Sequence, residues 1–389
     1  MSPLFKRRCF PNLLAIFVFA AGCSQSPKLD LDQTGVAIRP QSLTKIPKQV
    51  WEVRLQTPPS AILPLDSQRL LITSHRGEVY TFDLDRGKRD SPVWQILRKE
   101  ITARLIDATA QQLYIASAWE QQLRAYDVER GKLIWKRKIP GIIGTMALTD
   151  EQLLTASLTG KITAHDTRNG RTIWERKLPG RIQHGIQLTD SLAIVLTDRG
   201  TLYAFAAGSV HRPIQANEPY PFLWKRDLPV NPDAQYVAGN GYLYIVDSQG
   251  QVLCIDGSNG ADVFQSNLGA PVYSPPLVIP DLILVATADG KVIALRADDG
   301  SQIWAIQGSG LIKHPLLMAG TSSIRHILAV FARGELLALE ASTGEELWRL
   351  ETGGPITIAA LTPDGVVVVN RRNQLRRYRI SGTGQQHRR

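Results

Sequence analysis

The chain has 389 residues and a formal net charge of +10, from 45 Lys and Arg against 35 Asp and Glu. Residues 1–22 contribute +3 to this excess and residues 370–389 contribute +7, so the sequence between them is close to neutral. A uniformly basic surface, the usual electrostatic mark of a nucleic-acid-binding protein, therefore does not describe this chain.

The first 22 residues have the layout of an export signal. A basic start at residues 6–8 precedes an apolar run at residues 13–21, and Cys23 follows directly. The apolar run is too short to span a membrane as a helix. Residues 20–23, Ala-Ala-Gly-Cys, resemble the lipobox of bacterial lipoproteins. An ordinary export signal followed by an incidental cysteine is the alternative.

The lipobox resemblance implies that residues 1–22 are removed and that Cys23 is acylated, with palmitate among its fatty acids. Ser24 follows it, and the absence of Asp at this position implies sorting to the outer membrane. Several acyl chains anchor a protein stably, whereas one chain binds only marginally. Residues 23–49 contain Pro27, Pro40 and Pro47 and little periodicity, so we expect a flexible lipidated tether.

A repeat with a period near 40 residues fills the chain from residue 50 to residue 381. In its clearest copies a glycine precedes a strand-like segment, a second glycine stands ten residues after the first, and a tryptophan follows four residues later. These copies are Gly160–Trp174, Gly290–Trp304 and Gly334–Trp348. A fixed period of this length indicates stacked copies of one supersecondary unit.

Within each copy, small residues and large apolar residues alternate, which is typical of a strand with a buried face. His165 occupies one of the apolar slots, and we expect it to be a core histidine. An acidic residue such as Asp83 or Asp166 ends the segment, and a glycine follows four residues later. This spacing predicts a tight turn in which the carboxylate bonds to nearby backbone.

The aromatic residue of the repeat recurs at intervals of 39 to 50 residues. The last copy, from Asn373, has no aromatic after it, and Trp51 precedes the first copy. Closure into a ring protects the edges of repeated sheets. We therefore predict an all-β fold: an eight-bladed β-propeller of four-stranded antiparallel blades, with the N-terminal strand around Trp51 closing the last blade. Seven blades are the alternative. The aromatic residues expected to pack between blades are Trp51, Trp94, Trp135, Trp174, Trp224, Phe264, Trp304 and Trp348.

These repeats resemble those of the pyrroloquinoline-quinone-like propeller family, which includes dehydrogenases. The resemblance implies the fold but not the cofactor, because those dehydrogenases use adjacent cysteines and carboxylates around Ca²⁺ that this sequence lacks. The histidines show no zinc-ligand spacing, and Cys9 and Cys254 leave no disulfide pair in the mature chain. We predict no catalytic residue, no metal, no cofactor and no enzymatic activity.

Repeat pattern, length and lipobox together make the chain similar to the propeller lipoproteins of the outer-membrane β-barrel assembly machinery. That resemblance implies a scaffold that binds the periplasmic domains of the barrel-forming subunit and assists unfolded outer-membrane protein clients. The docking loop of those lipoproteins follows the tryptophan of the third blade, which corresponds to residues 178–185 here. By resemblance, Arg181, Ile182 and His184 are candidate partner-binding residues.

Two departures from the repeat add candidates. About ten extra residues precede Trp224, where Tyr220 and Phe222 supply rigid apolar area for a partner; a loop packed on its own blade is the alternative. The other departure is the arginine-rich end, with a basic tail at residues 382–389. We expect a basic patch there that attracts anionic lipid or an acidic partner, with a solvated tail as the alternative. Its residues are Arg371, Arg372, Arg376, Arg377 and Arg379.

The leading functional hypothesis is a lipid-anchored, non-enzymatic scaffold on the periplasmic face of the outer membrane. It would bind the barrel-forming subunit and help the assembly and insertion of outer-membrane β-barrel proteins. Two alternatives stay open: a quinoprotein-like periplasmic dehydrogenase, and an envelope propeller lipoprotein with another binding partner.

Overall fold

The alternating segments of the repeat form β-strands, and these are the regular elements of the described chain. The computed structural model describes residues 43–380 except for residues 66, 75, 90–93, 96–103, 109–111, 118–119, 128–129, 150–151, 183–184, 190–191, 208–221, 230–233, 313 and 321–324. The predicted signal at residues 1–22, the acylation site Cys23 and the basic tail at residues 382–389 lie outside the described residues.

The first half of the ring contains the N-terminal strand and blades 1 to 4. Strand β1 is Lys48–Arg54. Blade 1 contains β2 (Pro59–Pro64), β3 (Arg69–Ser74), β4 (Glu78–Asp83), β5 (Lys88–Arg89) and β6 (Trp94–Gln95). Blade 2 contains β7 (Arg104–Ala108), β8 (Gln112–Ser117), β9 (Gln122–Asp127) and β10 (Leu133–Lys138). Blade 3 contains β11 (Ile142–Leu148), β12 (Gln152–Ser157), β13 (Lys161–Asp166) and β14 (Thr172–Lys177). Blade 4 contains β15 (Gln187–Leu188), β16 (Leu192–Leu196), β17 (Thr201–Ala206) and β18 (Trp224–Asp227).

The second half contains blades 5 to 8. Blade 5 contains β19 (Gln235–Gly239), β20 (Tyr242–Val246), β21 (Gln251–Asp256) and β22 (Asp262–Asn267). Blade 6 contains β23 (Leu277–Ile279), β24 (Leu282–Ala286), β25 (Lys291–Arg296) and β26 (Gln302–Gln307). Blade 7 contains β27 (Leu317–Gly320), β28 (Arg325–Val330), β29 (Glu335–Glu340) and β30 (Glu346–Glu351). Blade 8 contains β31 (Ile356–Thr362), β32 (Gly365–Asn370) and β33 (Gln374–Arg379), to which β1 is added.

The N-terminal strand closes the ring. β1 pairs antiparallel with β33, from Lys48 opposite Arg379 to Arg54 opposite Gln374, and the sheet order of blade 8 is β1-β33-β32-β31. The eight-bladed all-β propeller with this closure is therefore confirmed, and the seven-bladed alternative is wrong. Because the first and last strands share one sheet, the ring cannot open without breaking that pairing.

The predicted turns follow the acidic residue of the repeat. In the turn of blade 3, the Gly170 amide donates to the Asp166 carbonyl at 2.8 Å, and the Asp166 carboxylate accepts from the Arg168 amide at 2.8 Å. The bonds that Arg168 donates also hold the pKa of the Asp166 carboxyl below its ordinary value. The turn is therefore closed by the side chain as well as by the backbone.

Four outer-strand tryptophans bond to a turn of the next blade around the ring, whereas the Trp174 indole donates to Gln152 of its own blade. The Trp135 indole of blade 2 donates to the Thr167 carbonyl of blade 3 at 2.9 Å, and the Trp304 indole of blade 6 donates to the Ala341 carbonyl of blade 7 at 3.1 Å. Trp51 and Trp224 make the same bond to Leu84 and Gly257. The acceptor in each case is the first turn residue after the acidic position. The side chain of Trp94 is not described.

The second glycine of the repeat makes room for the aromatic ring of the preceding blade. A Cβ atom at Gly170 would lie 2.5 Å from the Trp135 ring of the preceding blade, and a Cβ atom at Gly300 would lie 2.3 Å from the Phe264 ring. The glycine also has a φ of +68° at Gly170. Two requirements therefore meet at this position: a left-handed backbone and the absence of a side chain.

Blade 8 has no such turn, because its outer strand comes from the other end of the chain. Leu43 supplies the missing acceptor: the Trp348 indole donates to the Leu43 carbonyl at 2.6 Å, and the Leu43 amide donates to Nδ1 of His326 at 2.8 Å. Leu43 is buried against blades 7 and 8. The last residues of the expected tether, from Leu43 onward, are therefore fixed to the ring.

We predict that Gly170→Ala lowers the free energy of unfolding by about 3 kcal/mol. The backbone strain costs roughly 1 kcal/mol and the forced contact with Trp135 about 1–3 kcal/mol more. Gly241→Ala is the control, because Gly241 has a φ of +83° but nothing lies within 4 Å of its Cβ position. Urea unfolding of both variants measures the difference. Equal losses would show that the ring contact contributes nothing.

Candidate partner-binding surfaces

The loop that joins blades 3 and 4, residues 178–186, is held by backbone bonds on both sides. The Leu178 amide donates to the Gly160 carbonyl at 2.8 Å. The Asp198 carboxylate accepts from the Arg181 amide at 2.8 Å, while the Asp198 amide donates to the Arg181 carbonyl at 2.8 Å. The next turn of blade 4 therefore fixes the backbone at Arg181.

Ile182 does not belong to the surface, which corrects the expectation that it contacts a partner. Its side chain is fully buried among residues of blades 3 and 4, and its backbone forms a bridge with Thr197. Val272 and Ile312 form equivalent bridges at two other junctions and are also buried. The isoleucine is thus a repeated core position of the fold.

Arg181 is the charged position of this loop that faces solvent. The equivalent residues before Val272 and Ile312 are Pro271 and Leu311, so an arginine here departs from the repeat. Its guanidinium has no carboxylate partner within the described part of the chain. Leu158, in the neighbouring turn of blade 3, is 45% exposed on the same face of the ring. His184 lies outside the described residues.

The insertion before Trp224 is described only at its end, and Tyr220 lies outside the described residues. Phe222 packs against blades 4 and 3. The centroid of its ring lies 5.7 Å from that of Tyr203 in blade 4 and 5.4 Å from the guanidinium carbon of Arg176 in blade 3. The neighbouring Leu223 is 60% exposed. Most of the contact made by Phe222 is therefore internal, and Leu223 presents the apolar surface.

The arginines of the expected basic patch are largely paired with carboxylates of the ring, which corrects that expectation. Arg377 is 1% exposed; it donates to the Leu84 carbonyl, to Asp85 at 3.2 Å and to Asp364 at 2.7 Å. Arg379 donates to the same two carboxylates, at 2.8 and 2.7 Å. Leu84 and Asp85 belong to blade 1 and Asp364 to a turn of blade 8, so the arginines join the two blades where the ring closes.

Of the remaining arginines at that end, one is hydrogen-bonded within blade 8 and its neighbour, and two are exposed to solvent. Arg376 donates to the Glu52 carboxylate of β1 at 2.8 Å and to the Thr352 carbonyl. Arg371 and Arg372 are exposed in the turn before β33. Only these two therefore present charge to a partner in the way the sequence suggested.

Arg377 and Arg379, where blades 8 and 1 meet, stabilise the ionised form of the Asp364 carboxylate. Burial alone would raise the pKa of Asp364, but the bonds and charges of Arg377 and Arg379 hold it below its ordinary value. A carboxylate with two guanidinium donors is ionised throughout the physiological range. The closure between blades 8 and 1 is thus a charged contact as well as a strand pairing.

Groups with the chemistry of ligands or nucleophiles are dispersed in the described ring. The described residues contain no group of three or more His, Cys, Asp and Glu arranged to hold a metal ion. Cys254 is a buried free thiol, and burial raises its pKa to about 12. Among the described elements, none is a helix of the length and apolarity needed to cross a bilayer.

His165 is buried in blade 3, as expected from its apolar slot. Its Nε2 lies 3.1 Å from the Thr155 hydroxyl, and its Nδ1 has no hydrogen-bond partner within the described ring. Burial lowers its pKa to about 4. The imidazole is therefore neutral at physiological pH and packs as a core side chain.

Comparison with known protein families shows to which family of β-propellers the chain belongs. The family model described as outer membrane protein assembly factor BamB matches residues 47–135, 119–212 and 222–382. The chain belongs to this family. The match extends over the whole ring, and its limits agree with the closure of blade 8 by β1.

Individual relatives are more distant. A stretch of 85 residues is 31% identical to outer membrane protein assembly factor BamB of Nitrosomonas eutropha, covering 22% of this chain and 20% of that protein. A stretch of 84 residues is 30% identical to the protein of the same name from Burkholderia pseudomallei, covering 22% of each. The matches thus span about a fifth of the length of these curated relatives.

Two solved structures share the fold. The crystal structure of BamB from Moraxella catarrhalis superposes with a TM-score of 0.64 and 18% identity, covering 86% of this chain and all of that one. The computationally designed Ika8 protein superposes with a TM-score of 0.67 and 11% identity over the same coverage. A designed protein and a natural one match about equally well, so this likeness concerns the fold alone.

Removal of the buried guanidinium should weaken the closure of the ring. We predict that Arg377→Met lowers the free energy of unfolding by about 2 kcal/mol, because the hydrogen bonds of a buried guanidinium are lost, while Arg379 and Trp51 remain as donors to the same acceptors. Arg371→Met, at an exposed position, should change it by less than about 0.5 kcal/mol. Urea unfolding of the two variants checks this; equal stabilities would contradict the network.

The buried His165 should make the ring sensitive to acid. Its pKa is about 4 in the folded chain and about 6.5 when unfolded, so the unfolded chain binds a proton first. Stability is fully present above pH 6.5 and declines, by up to about 1.4 kcal/mol per pH unit, as pH falls towards 4. His165→Phe, which copies Phe82 and Phe205 in the same slot, should decline less steeply over this range. Equal slopes in thermal unfolding from pH 7 to 4.5 would refute the assignment.

Proposed function

We propose that this protein is a non-enzymatic scaffold in the assembly and insertion of outer-membrane β-barrel proteins. The observation that carries the proposal is the family match over residues 47–135, 119–212 and 222–382, which takes in the complete ring. The curated relatives are named as outer membrane protein assembly factors. A rigid ring that closes on itself suits a scaffold, because partners meet a preformed surface at little cost in conformational entropy.

The partners are the periplasmic domains of the barrel-forming subunit and, through the same assembly, unfolded outer-membrane protein clients. The chain is held at the periplasmic face of the outer membrane by fatty acids on Cys23. The lipobox resemblance of residues 20–23 supports this anchor. The hydrogen bonds that fix Leu43 to blades 7 and 8 support it too, because they attach the segment that follows Cys23 firmly to the ring.

The docking surface is the face of the ring at the junction of blades 3 and 4. Arg181 and Leu158 are exposed there on backbone that Asp198 and Gly160 hold in place. An arginine beside an apolar side chain is a common composition for a binding hot spot. His184 and Tyr220 stay candidates, whereas Ile182 supports this surface from inside.

Capture of partners from detergent-solubilised membranes tests the proposal. The affinity-tagged full chain should recover the barrel-forming subunit, and Arg181→Glu should reduce the recovered amount at least about tenfold, as loss of a hot-spot residue does. Arg333→Glu is the matched control, since Arg333 is an exposed arginine on the same face at blade 7. Recovery without any barrel-assembly subunit would overturn the function; equal effects of the two variants would overturn the site alone.

A further inference from the structure

Charge on the outer strands distinguishes two neighbouring arcs of the ring, each of three blades. The outer strands of blades 2, 3 and 4 contain seven basic and two acidic residues. Those of blades 5, 6 and 7 contain one basic and three acidic residues. The repeat itself places no charge at these positions, so the difference is a property of this sequence.

Four lysines of blades 2 to 4 form what we call the basic rim: Lys136, Lys138, Lys177 and Lys225. All four are exposed, and none has an ion-pair partner among the residues that the structure describes. Glu175 pairs with Lys161 at 2.5 Å, whereas Asp227 accepts from the neutral Thr201 hydroxyl at 2.6 Å, a bond that does not offset its negative charge. The four lysines outnumber this carboxylate, so the rim keeps a net positive charge.

Exposed aliphatic side chains accompany these lysines. Ile134, Ile173 and Leu223 each stand directly before the tryptophan of their blade and are 42%, 45% and 60% exposed. Blades 5 and 6 also expose an aliphatic residue at this position. In blades 2 and 4 a lysine directly follows the tryptophan, whereas in blade 3 Glu175 follows it and Lys177 is the rim lysine. The combination of the aliphatic residue with lysines, rather than the aliphatic residue alone, therefore distinguishes blades 2 to 4.

We propose that the basic rim lies against a lipid bilayer that contains anionic headgroups. Aliphatic side chains at the acyl boundary with lysines at the phosphates are the composition of interfacial membrane-binding surfaces. The seven side chains are spread along the circumference of three blades, so they fit an extended planar surface better than the pocket or groove that one acidic peptide would need. The lipid anchor of the proposed function would bring the ring to such a surface, and the rim would then set its orientation.

Vesicle binding by the chain without its acyl anchor tests the rim independently of the proposed function. All contacts described above lie within residues 43–380, so a chain of residues 24–389 retains the complete ring. It should bind vesicles of phosphatidylcholine and phosphatidylglycerol, bind pure phosphatidylcholine vesicles at least about tenfold more weakly, and dissociate as salt is raised.

The test variant replaces Lys136, Lys138, Lys177 and Lys225 with glutamine. It should bind the anionic vesicles at least about tenfold more weakly, because each lysine near such a surface strengthens binding about fivefold. The control removes the same number of exposed charges outside the rim, as Lys48→Gln, Arg54→Gln, Arg333→Gln and Arg371→Gln. It should bind as the unaltered chain does, and thermal unfolding of both variants verifies that the ring is intact.

A third variant separates a bilayer from an acidic protein. Ile134→Ser, Ile173→Ser and Leu223→Ser together should weaken vesicle binding while its salt dependence is unchanged. The proposal is overturned if the unaltered chain does not bind anionic vesicles, or if the rim variant and its control are weakened equally. It is also overturned if the rim variant binds vesicles normally but no longer captures the barrel-forming subunit, since the rim would then be a protein-docking surface. None of these results depends on whether Cys23 is acylated.

Discussion

Packing of the outer-strand aromatic ring against the turn glycine of the next blade, with an indole bond to that turn at four of the blades, is the constraint on which this ring depends. A blade cannot bury its own tryptophan, because the glycine that receives the ring belongs to its neighbour: Trp135 lies on Gly170 and Trp304 on Gly344. Each blade is therefore incomplete without the next, and eight copies are satisfied together only by closure. At blade 8, where the chain leaves no turn, Leu43 offers its carbonyl to Trp348 instead. The segment before β1 is thus a structural substitute for a missing turn.

The repeat made the architecture predictable, whereas the sites depended on contacts between blades. Spacing of glycine, acid and tryptophan gave strands, turns and closure, because those are local or periodic properties. The loop around Ile182 resembles a docking loop, but alignment of the repeats past the tryptophan places Ile182 beside Val272 and Ile312, at a core position. Arg377 belongs to a run of charge in the sequence, which predicts an exposed residue. Its partners Asp85 and Asp364 belong to other segments, and no local pattern connects them.

Positions at which one repeat differs from the others are the best indicators of binding residues on such a scaffold. A residue shared by all repeats serves packing or turn geometry. An exposed residue found in one repeat alone is not required for packing. Arg181, in place of Pro271 and Leu311, satisfies this condition because its backbone is fixed and its guanidinium faces solvent. The same comparison separates the lysines of blades 2 to 4 from Gln265 and Gln307 of blades 5 and 6. Asymmetry of charge on a symmetric fold therefore marks both proposed surfaces.

The two surfaces are compatible in space, since one lies on a face of the ring and the other on its circumference. A propeller that meets a bilayer by its outer strands has its axis roughly parallel to the membrane, so the face with Arg181 is open sideways to a neighbour in the same membrane. The proposed anchor at Cys23 limits this orientation through the length of the segment that follows it. Nineteen residues lie between Cys23 and Leu43, and such a segment reaches at most about 70 Å when fully extended. Leu43 lies at the junction of blades 7 and 8, across the ring from blades 2 to 4, so an anchored chain would need most of that length to bring the basic rim to the membrane.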